Sequence, residues 1–332
     1  MTRFEVWAPD GVPEVRAGDD LVDVITAAEG ALADGDLVVV TSKVVSKAEG
    51  RVREGGRDEA VEEETVRVVA RRGGTRIVRN RLGLTMAAAG VDASNVDAGS
   101  VVLLPLDPDR SARELRTALR ERTGRNVAVV VTDTSGRTWR LGQTDIAIGA
   151  AGLLVADDHA GRADPHGNPL AVTMPALADE IAGAADLAKG KLGARPVAVV
   201  RGLGQLVLPP GEDGPGASSL VREEGTDLFG YGATEAVVRA LAGDPADRTP
   251  FGAPAAREAL TASVAAVLAA RGAAPGSVLA LGSDDSEDLV LEVPDGPDRA
   301  VLAALAFAHG WALAEWQVGG DRVRATFSPV HT

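Results

Sequence analysis

The sequence predicts an α+β (mixed α/β) protein with a small α/β domain at its C-terminal end. Three observations point there. Two short runs, residues 37–40 and 127–131, are wholly apolar, as strands buried on both faces are. Stretches with helical spacing of apolar residues lie between and after them. A segment rich in Gly and Pro, residues 243–254, sets off a tail with its own alternation of helices and strands.

Taken in order, residues 4–7 read as a short strand, followed by a loop at Pro9, Asp10 and Gly11. Residues 21–32 read as a helix with Asp19 and Asp20 as caps and Gly35 as its end. The strand at 37–40 runs into a polar turn of Thr41, Ser42 and Lys43. Residues 59–72 read as a helix closed by Gly73 and Gly74. A strand at 101–105, a charged amphipathic helix at 111–122 and the strand at 127–131 follow, the last ending at Thr132 and Asp133. Residues 149–155 are apolar and glycine-rich, and 157–169 form a polar loop. A helix is expected at 176–191, a strand at 196–200 and a mobile loop at 208–217. Beyond the linker come a helix at 255–271, strands at 278–281 and 289–293, a helix at 299–309 and a hairpin around Gly319 and Gly320. Domains of 1–244 and 245–332 result. Strand order does not follow from one sequence.

The chain of 332 residues is long enough for two cores. A net charge of −14 repels nucleic acid phosphates, and the basic residues around Arg67–Arg72 and 110–125 read as solvated helix faces. With no cysteine, disulfides, thiolate catalysis and cysteine zinc sites are excluded. The four histidines lack His-x-x-x-His spacing, which argues against a histidine metal site. The N-terminus has no apolar signal stretch, and no run of about 18 apolar residues occurs. A cytoplasmic protein with no membrane and no nucleic acid partner is expected.

Four constellations can carry chemistry. Residues 40–50 place Ser42, Lys43, Ser46 and Lys47 just after a strand, where lysines and hydroxyls suit phosphate oxygens; the bland alternative is an exposed polar turn. Residues 131–137 put Asp133 at the end of a buried strand, where ligands collect in α/β sheets. A carboxylate there suits Mg²⁺ or Mn²⁺, and the alternative is an Asp-Thr turn with Gly136. Asp179 and Glu180 open a helix, either as further metal carboxylates or as residues favoured by the helix dipole. Residues 157–162, with Asp157, His159 and Arg162, read equally as a substrate loop or a solvated one. No Walker or Rossmann glycine pattern follows any strand, so any nucleotide must be held by another loop system.

Together, Gly35-Asp-Leu-Val-Val-Val-Thr-Ser-Lys-Val-Val-Ser-Lys-Ala-Glu-Gly50 and Thr132-Asp-Thr-Ser-Gly-Arg137 resemble the coenzyme F420-0:L-glutamate ligases, the F420 gamma-glutamyl ligases. Ala147-Ile-Gly149, Ala178-Asp-Glu-Ile181, Ala185-Asp-Leu187 and Pro196-Val-Ala-Val-Val-Arg-Gly202 agree in order and spacing, over roughly residues 3–240. The resemblance implies the ligase fold and GTP-dependent addition of L-glutamate to F420-0, first by an amide and then by gamma linkage. It also implies Mn²⁺ or Mg²⁺ and an intertwined homodimer. By position, Val12, Pro13, Glu14 and Val15 match a nucleotide-contact loop, and Ser42, Lys43 and Lys47 a second nucleotide segment. Asp133 matches a metal carboxylate and, with Lys47, a catalytic position; Asp179 and Glu180 complete the expected metal set.

Two departures stand out. Met174 follows Val172-Thr173 where the family often has an acidic or polar residue. The tail is too short for the flavin-binding nitroreductase domain that some relatives carry, so FMN is not expected and the tail's role is open. Arg137 and Arg140 are candidates for the anionic substrate by proximity to Asp133. Rival readings are a GTP-binding regulator without turnover and a ligase for another acidic metabolite.

Overall fold

The two apolar runs are adjacent strands. The computed structural model describes residues 3–29, 31–281, 286–296 and 298–331, and the chain divides into two units, Met1–Val221 and Arg222–Thr332. The first unit runs β1 (Glu5–Trp7), α1 (Leu21–Ala28), β2 (Leu37–Thr41), α2 (Ser42–Ala48), β3 (Val52–Glu54) and α3 (Arg57–Glu64). It continues with β4 (Thr65–Arg72), β5 (Thr75–Asn80), β6 (Thr85–Ala87), β7 (Ser100–Val102) and α4 (Pro108–Thr123). It ends with β8 (Ala128–Gly136), β9 (Gln143–Ala151), α5 (Leu177–Lys189) and β10 (Val197–Arg201).

The main sheet has the order β1-β10-β2-β8-β9. Only β2 and β8 run parallel; the other neighbours are antiparallel. Side chains alternate across β8. Val129 and Val131 pack with Ile25 of α1 and Leu115 and Leu119 of α4. Ala128 and Val130 pack with Ala178, Ile181 and Ala185 of α5 on the other face. Both faces are covered, which is why the strands lack polar alternation. α4 starts where Asp107 accepts the Arg110 N–H and Pro108 takes the first turn, and it stops at Gly124 with φ 70°. Two small sheets, β3-β7 and β4-β5-β6, complete the unit.

Several expectations are corrected. Residues 59–72 are not one helix. The helix ends at Glu64, and Thr65–Arg72 is a strand paired antiparallel with β5. β-Branched Thr65, Val66, Val68 and Val69 favour the strand, and Gly73-Gly74 is its hairpin turn rather than a helix stop. The polar turn at Thr41–Lys43 is instead the start of α2. The loop at 208–217 is fastened: Arg116, buried on α4, donates to the carbonyls of Leu208 and Pro209 (both 3.1 Å) and Glu212 (2.8 Å) and to the Asp213 carboxylate (2.8 Å).

The second unit contains α6 (Ala233–Ala242), α7 (Arg257–Ala270), β11 (Leu279–Leu281), β12 (Leu289–Pro294), α8 (Arg299–Ala308), β13 (Trp311–Gly319) and β14 (Arg322–Pro329). Its sheet is antiparallel, in the order β11-β12-β14-β13. Leu289, Leu291 and Val293 alternate onto a core with Leu260, Leu302 and Phe327. The unit starts at Arg222, earlier than residue 245, because α6 packs against α8. Among the described residues no helix is long and apolar enough to cross a membrane.

One contact between α4 and the sheet is tight enough to test. A Cβ on Gly149 of β9 would lie 2.3 Å from the Pro108 carbonyl oxygen, a backbone atom. Gly149→Ala is expected to lower stability by about 1–3 kcal/mol, read as the urea midpoint at unchanged m-value. An unchanged midpoint would show that this approach is not close.

Candidate active site

A cavity of 620 Å³ opens in the first unit at the ends of β2 and β8, a size suited to a nucleotide-like ligand. Residues 12–15, α2, the segment 86–95, the ends of β8 and β9 and the segment 186–196 line it. Six basic side chains (Lys43, Lys47, Arg57, Lys189, Lys191 and Arg195) face five acidic ones. The cavity is therefore nearly balanced inside a chain of net charge −14, and an anion meets no excess of like charge there.

The strand register builds its centre. Thr41 of β2 lies opposite Thr132 of β8 in the parallel ladder, so the next residues, Ser42 and Asp133, are also neighbours. Ser42 Oγ donates to Asp133 Oδ1 at 2.8 Å. α2 then presents Lys43 and Lys47, four residues apart and on one helix face. Lys43 Nζ donates to Asp92 Oδ2 (2.6 Å) and Ser94 Oγ (2.8 Å). Lys47, only 7% exposed, donates to the Asn95 carbonyl (2.7 Å) and pairs with Glu14. Asp92 is held from behind by backbone pairing with Val102 of β7. Asn95 takes a left-handed conformation, φ 55°, which asparagine tolerates.

Beneath Asp133 lies a buried ion pair. Asp145 faces Thr134 across the β8–β9 ladder. It accepts from Thr132 Oγ1 and Thr134 Oγ1 (both 2.9 Å) and from Lys189 Nζ (2.8 Å). Lys189 also reaches Thr132 Oγ1 at 3.1 Å. Burial opposes the charge on Asp145, but Lys189 and the hydroxyls win and hold its carboxyl below the usual carboxylate range. Asp133 has no such partner. Burial, with the Asp145 and Asp92 charges adding to it, pushes its carboxyl up to about 6 against the opposing Ser42 hydrogen bond and Lys43 charge.

A desolvated carboxylate with no cation of its own, beside hydroxyls and two further acids, fits a hard divalent cation. Among the described residues no three His, Cys, Asp or Glu side chains form a metal cage. Such a cation would keep water or phosphate oxygens in most of its positions, as Mg²⁺ does in nucleotide sites.

The structure brings together Val12, Pro13, Glu14, Val15, Ser42, Lys43, Lys47 and Asp133. It does not bring Asp179 and Glu180 there. The β8–β9 ladder shifts register between Val131 and Thr132, and Asp179 accepts the Ala147 N–H at that irregularity (2.9 Å). Glu180 is exposed, and neither lines the cavity. The acids that do accompany Asp133 in the cavity are Asp92 and Asp145, so the expected grouping of Asp179 and Glu180 with Asp133 is corrected: both lie away from it. Arg137 and Arg140 are exposed and outside the cavity lining. Asp157 is spent on His159 (2.9 Å) and Arg162 (2.8 Å) within its own turn, and Met174 is exposed. Sequence reasoning missed Asp92, Asn95, Asp145 and Lys189. Alternation along Thr132–Asp133–Thr134 could have suggested an opposing acid, but nothing local marks Asp92.

A family model described as F420-0:Gamma-glutamyl ligase matches residues 11–202. The chain is 40% identical over 223 residues to the coenzyme F420:L-glutamate ligase of Archaeoglobus fulgidus, covering 60% of this chain and 88% of that one. It is 39% identical over 237 residues to the enzyme of the same name from Methanopyrus kandleri, covering 65% and 93%. For that of Methanothermobacter thermautotrophicus the identity is 36% over 248 residues, covering 66% and 96%.

The Asp133 environment has a signed consequence for stability. Its folded carboxyl titrates at about 6 instead of 3.8. The folded state thus holds that proton more tightly, and the associated stability is present below pH 4 and lost as pH rises through 6. In metal-free protein, Asp133→Asn is expected to raise stability at pH 7 by on the order of 1–3 kcal/mol, with the gain vanishing near pH 4. Denaturant titrations at the two pH values measure it; a pH-independent difference would show that Asp133 titrates normally.

Proposed function

Because the chain belongs to the F420-0:gamma-glutamyl ligase family, we propose that it adds L-glutamate to coenzyme F420-0 at the expense of GTP. Later glutamates are joined through the gamma-carboxylate. The observation that carries most weight is the juxtaposition of Asp133 with the α2 segment bearing Ser42, Lys43 and Lys47, at the mouth of two parallel strands.

The reaction is activation followed by aminolysis. A carboxylate oxygen of the precursor attacks the γ-phosphorus of GTP. The bond from that phosphorus to the β–γ bridging oxygen breaks, and GDP leaves with the oxygen, giving an acyl phosphate. The glutamate amine then attacks the acyl carbon, phosphate departs, and the surplus amine proton passes to phosphate or water. Such chemistry needs positioning and charge stabilisation more than protein nucleophiles. Lys43 and Lys47 offset phosphate charge from one helix face, and Val12–Val15 lines the cavity beside Lys47. Mn²⁺ or Mg²⁺, when bound, would neutralise phosphate oxygens, with Asp133 and its neighbours Asp92 and Asp145 as the protein donors. Ser42 holds Asp133 in place, and Lys189 keeps Asp145 ionised.

The same reading sets the work in the cytoplasm with the chain as a homodimer. Trp139 and Leu141, 88% and 98% exposed between β8 and β9, are apolar surface that a partner copy would cover. Sedimentation is expected to give twice the chain mass, and a monomer at assay concentration would refute the dimer.

The decisive assay incubates purified protein with F420-0, L-glutamate, GTP and Mn²⁺ and follows product mass. Glutamyl increments that require GTP are expected, and Asp133→Asn should slow turnover about 100-fold or more, equivalent to about 3 kcal/mol in the barrier. No increment from folded, GTP-binding protein would overturn the acceptor assignment, and wild-type turnover by the variant would remove Asp133 from the mechanism.

A further inference from the structure

The second unit contains a cavity of its own, 560 Å³, lined from α6, α8 and β13, outside the family match at 11–202. Its walls are mostly apolar, alanines together with Leu241, Phe307, Trp311 and Leu313. Two arginines, Arg248 and Arg299, also line it. Arg248 sits over the face of Phe307, its guanidinium carbon 4.2 Å from the ring centroid. One N–H donates to the Trp311 carbonyl at 3.0 Å. Burial, with no charge partner to offset it, depresses its affinity for its proton.

Of the acids near Arg248, one is paired with another arginine and one lines the cavity at the start of α8. Asp247 accepts from Arg239 (2.9 and 3.0 Å) and from the Tyr231 hydroxyl. Asp298, the acidic residue among the described lining, caps α8 by accepting the Ala300 N–H at 2.8 Å. Among the described residues no carboxylate pairs with Arg248. Arg248 is half-buried and has one side-chain acceptor for its five N–H donors, so donors remain for an anion that enters the cavity. The Phe307 ring and the Trp311 carbonyl anchor the guanidinium at the cavity wall, and a guanidinium can take a carboxylate through two parallel hydrogen bonds.

We propose that this cavity is a binding site for a small organic carboxylate with a ring-sized apolar body. The carboxylate meets Arg248, with Arg299 adding charge at α8. The apolar body lies against Ala304, Trp311 and Leu313. The site is independent of the ligase reading and of the cavity at Asp133.

The test uses the full chain with benzoate as probe, and benzamidine and inorganic phosphate as comparisons, by calorimetry and saturation-transfer NMR. Benzoate is expected to bind and the ring-matched cation benzamidine not to. Arg248→Met should weaken benzoate at least tenfold, and Lys43→Ala, in the other cavity, should leave it unchanged. Ala304→Phe fills the space while keeping the arginine and should also abolish binding, which decides the matter if the Arg248 variant melts early. The proposal is overturned if benzoate does not bind, if benzamidine binds equally, or if phosphate binds as tightly as benzoate, the mark of a bare ion site. Loss of benzoate binding in the Lys43 variant with retention in Arg248→Met would overturn it too.

Discussion

The parallel pairing of β2 with β8 is the constraint on which the rest depends. Five residue pairs, from Leu37 opposite Ala128 to Thr41 opposite Thr132, carry two strands out of the core at the same level. Parallel strands end together, so whatever follows each of them meets at one edge of the sheet. Here a helix bearing two lysines follows one, and an aspartate with flanking hydroxyls follows the other. A slip of one residue would turn Asp133 to the opposite face and separate it from Ser42.

Charge in the cavity is arranged by degrees of compensation. Asp145 is paired by Lys189 within a buried network, Asp92 by Lys43, and Glu14 by Lys47. Asp133 alone among these acids receives a hydroxyl and no ammonium group. Keeping one desolvated carboxylate short of a counter-charge costs stability at neutral pH and raises its proton affinity. Lys43 and Lys47 in turn are held along the cavity wall by Asp92, Ser94, Asn95 and Glu14.

Unit 2 follows a simpler logic. Its antiparallel sheet alternates strictly at Leu289, Leu291 and Val293, and one face is buried under helices. Arg248 is the exception to its apolar packing. It sits where an aromatic ring and a carbonyl satisfy part of its demand and leave the rest directed to a cavity.

Local pattern determined much of this protein. The apolar runs at 37–40 and 127–131 are strands because four or five consecutive Val, Leu and Ala residues suit burial on both faces, and the caps at Asp20 and Gly124 act within one turn. The motifs at 12–15, 42–47 and 133 line one cavity, and their order and spacing were legible as a family pattern. What only the tertiary structure decided is what depends on residues distant in the chain. Residues 65–72 became a strand because β5 was there to pair with, overriding a helical reading of the same residues. Asp179 looked like a metal ligand but satisfies a backbone N–H where the β8–β9 register shifts. Asp92 and Lys189 carry no mark of the site in their local sequence. They reach the site because a long-range strand bridge and a helix crossing the sheet bring them there, and no local signal encodes that approach.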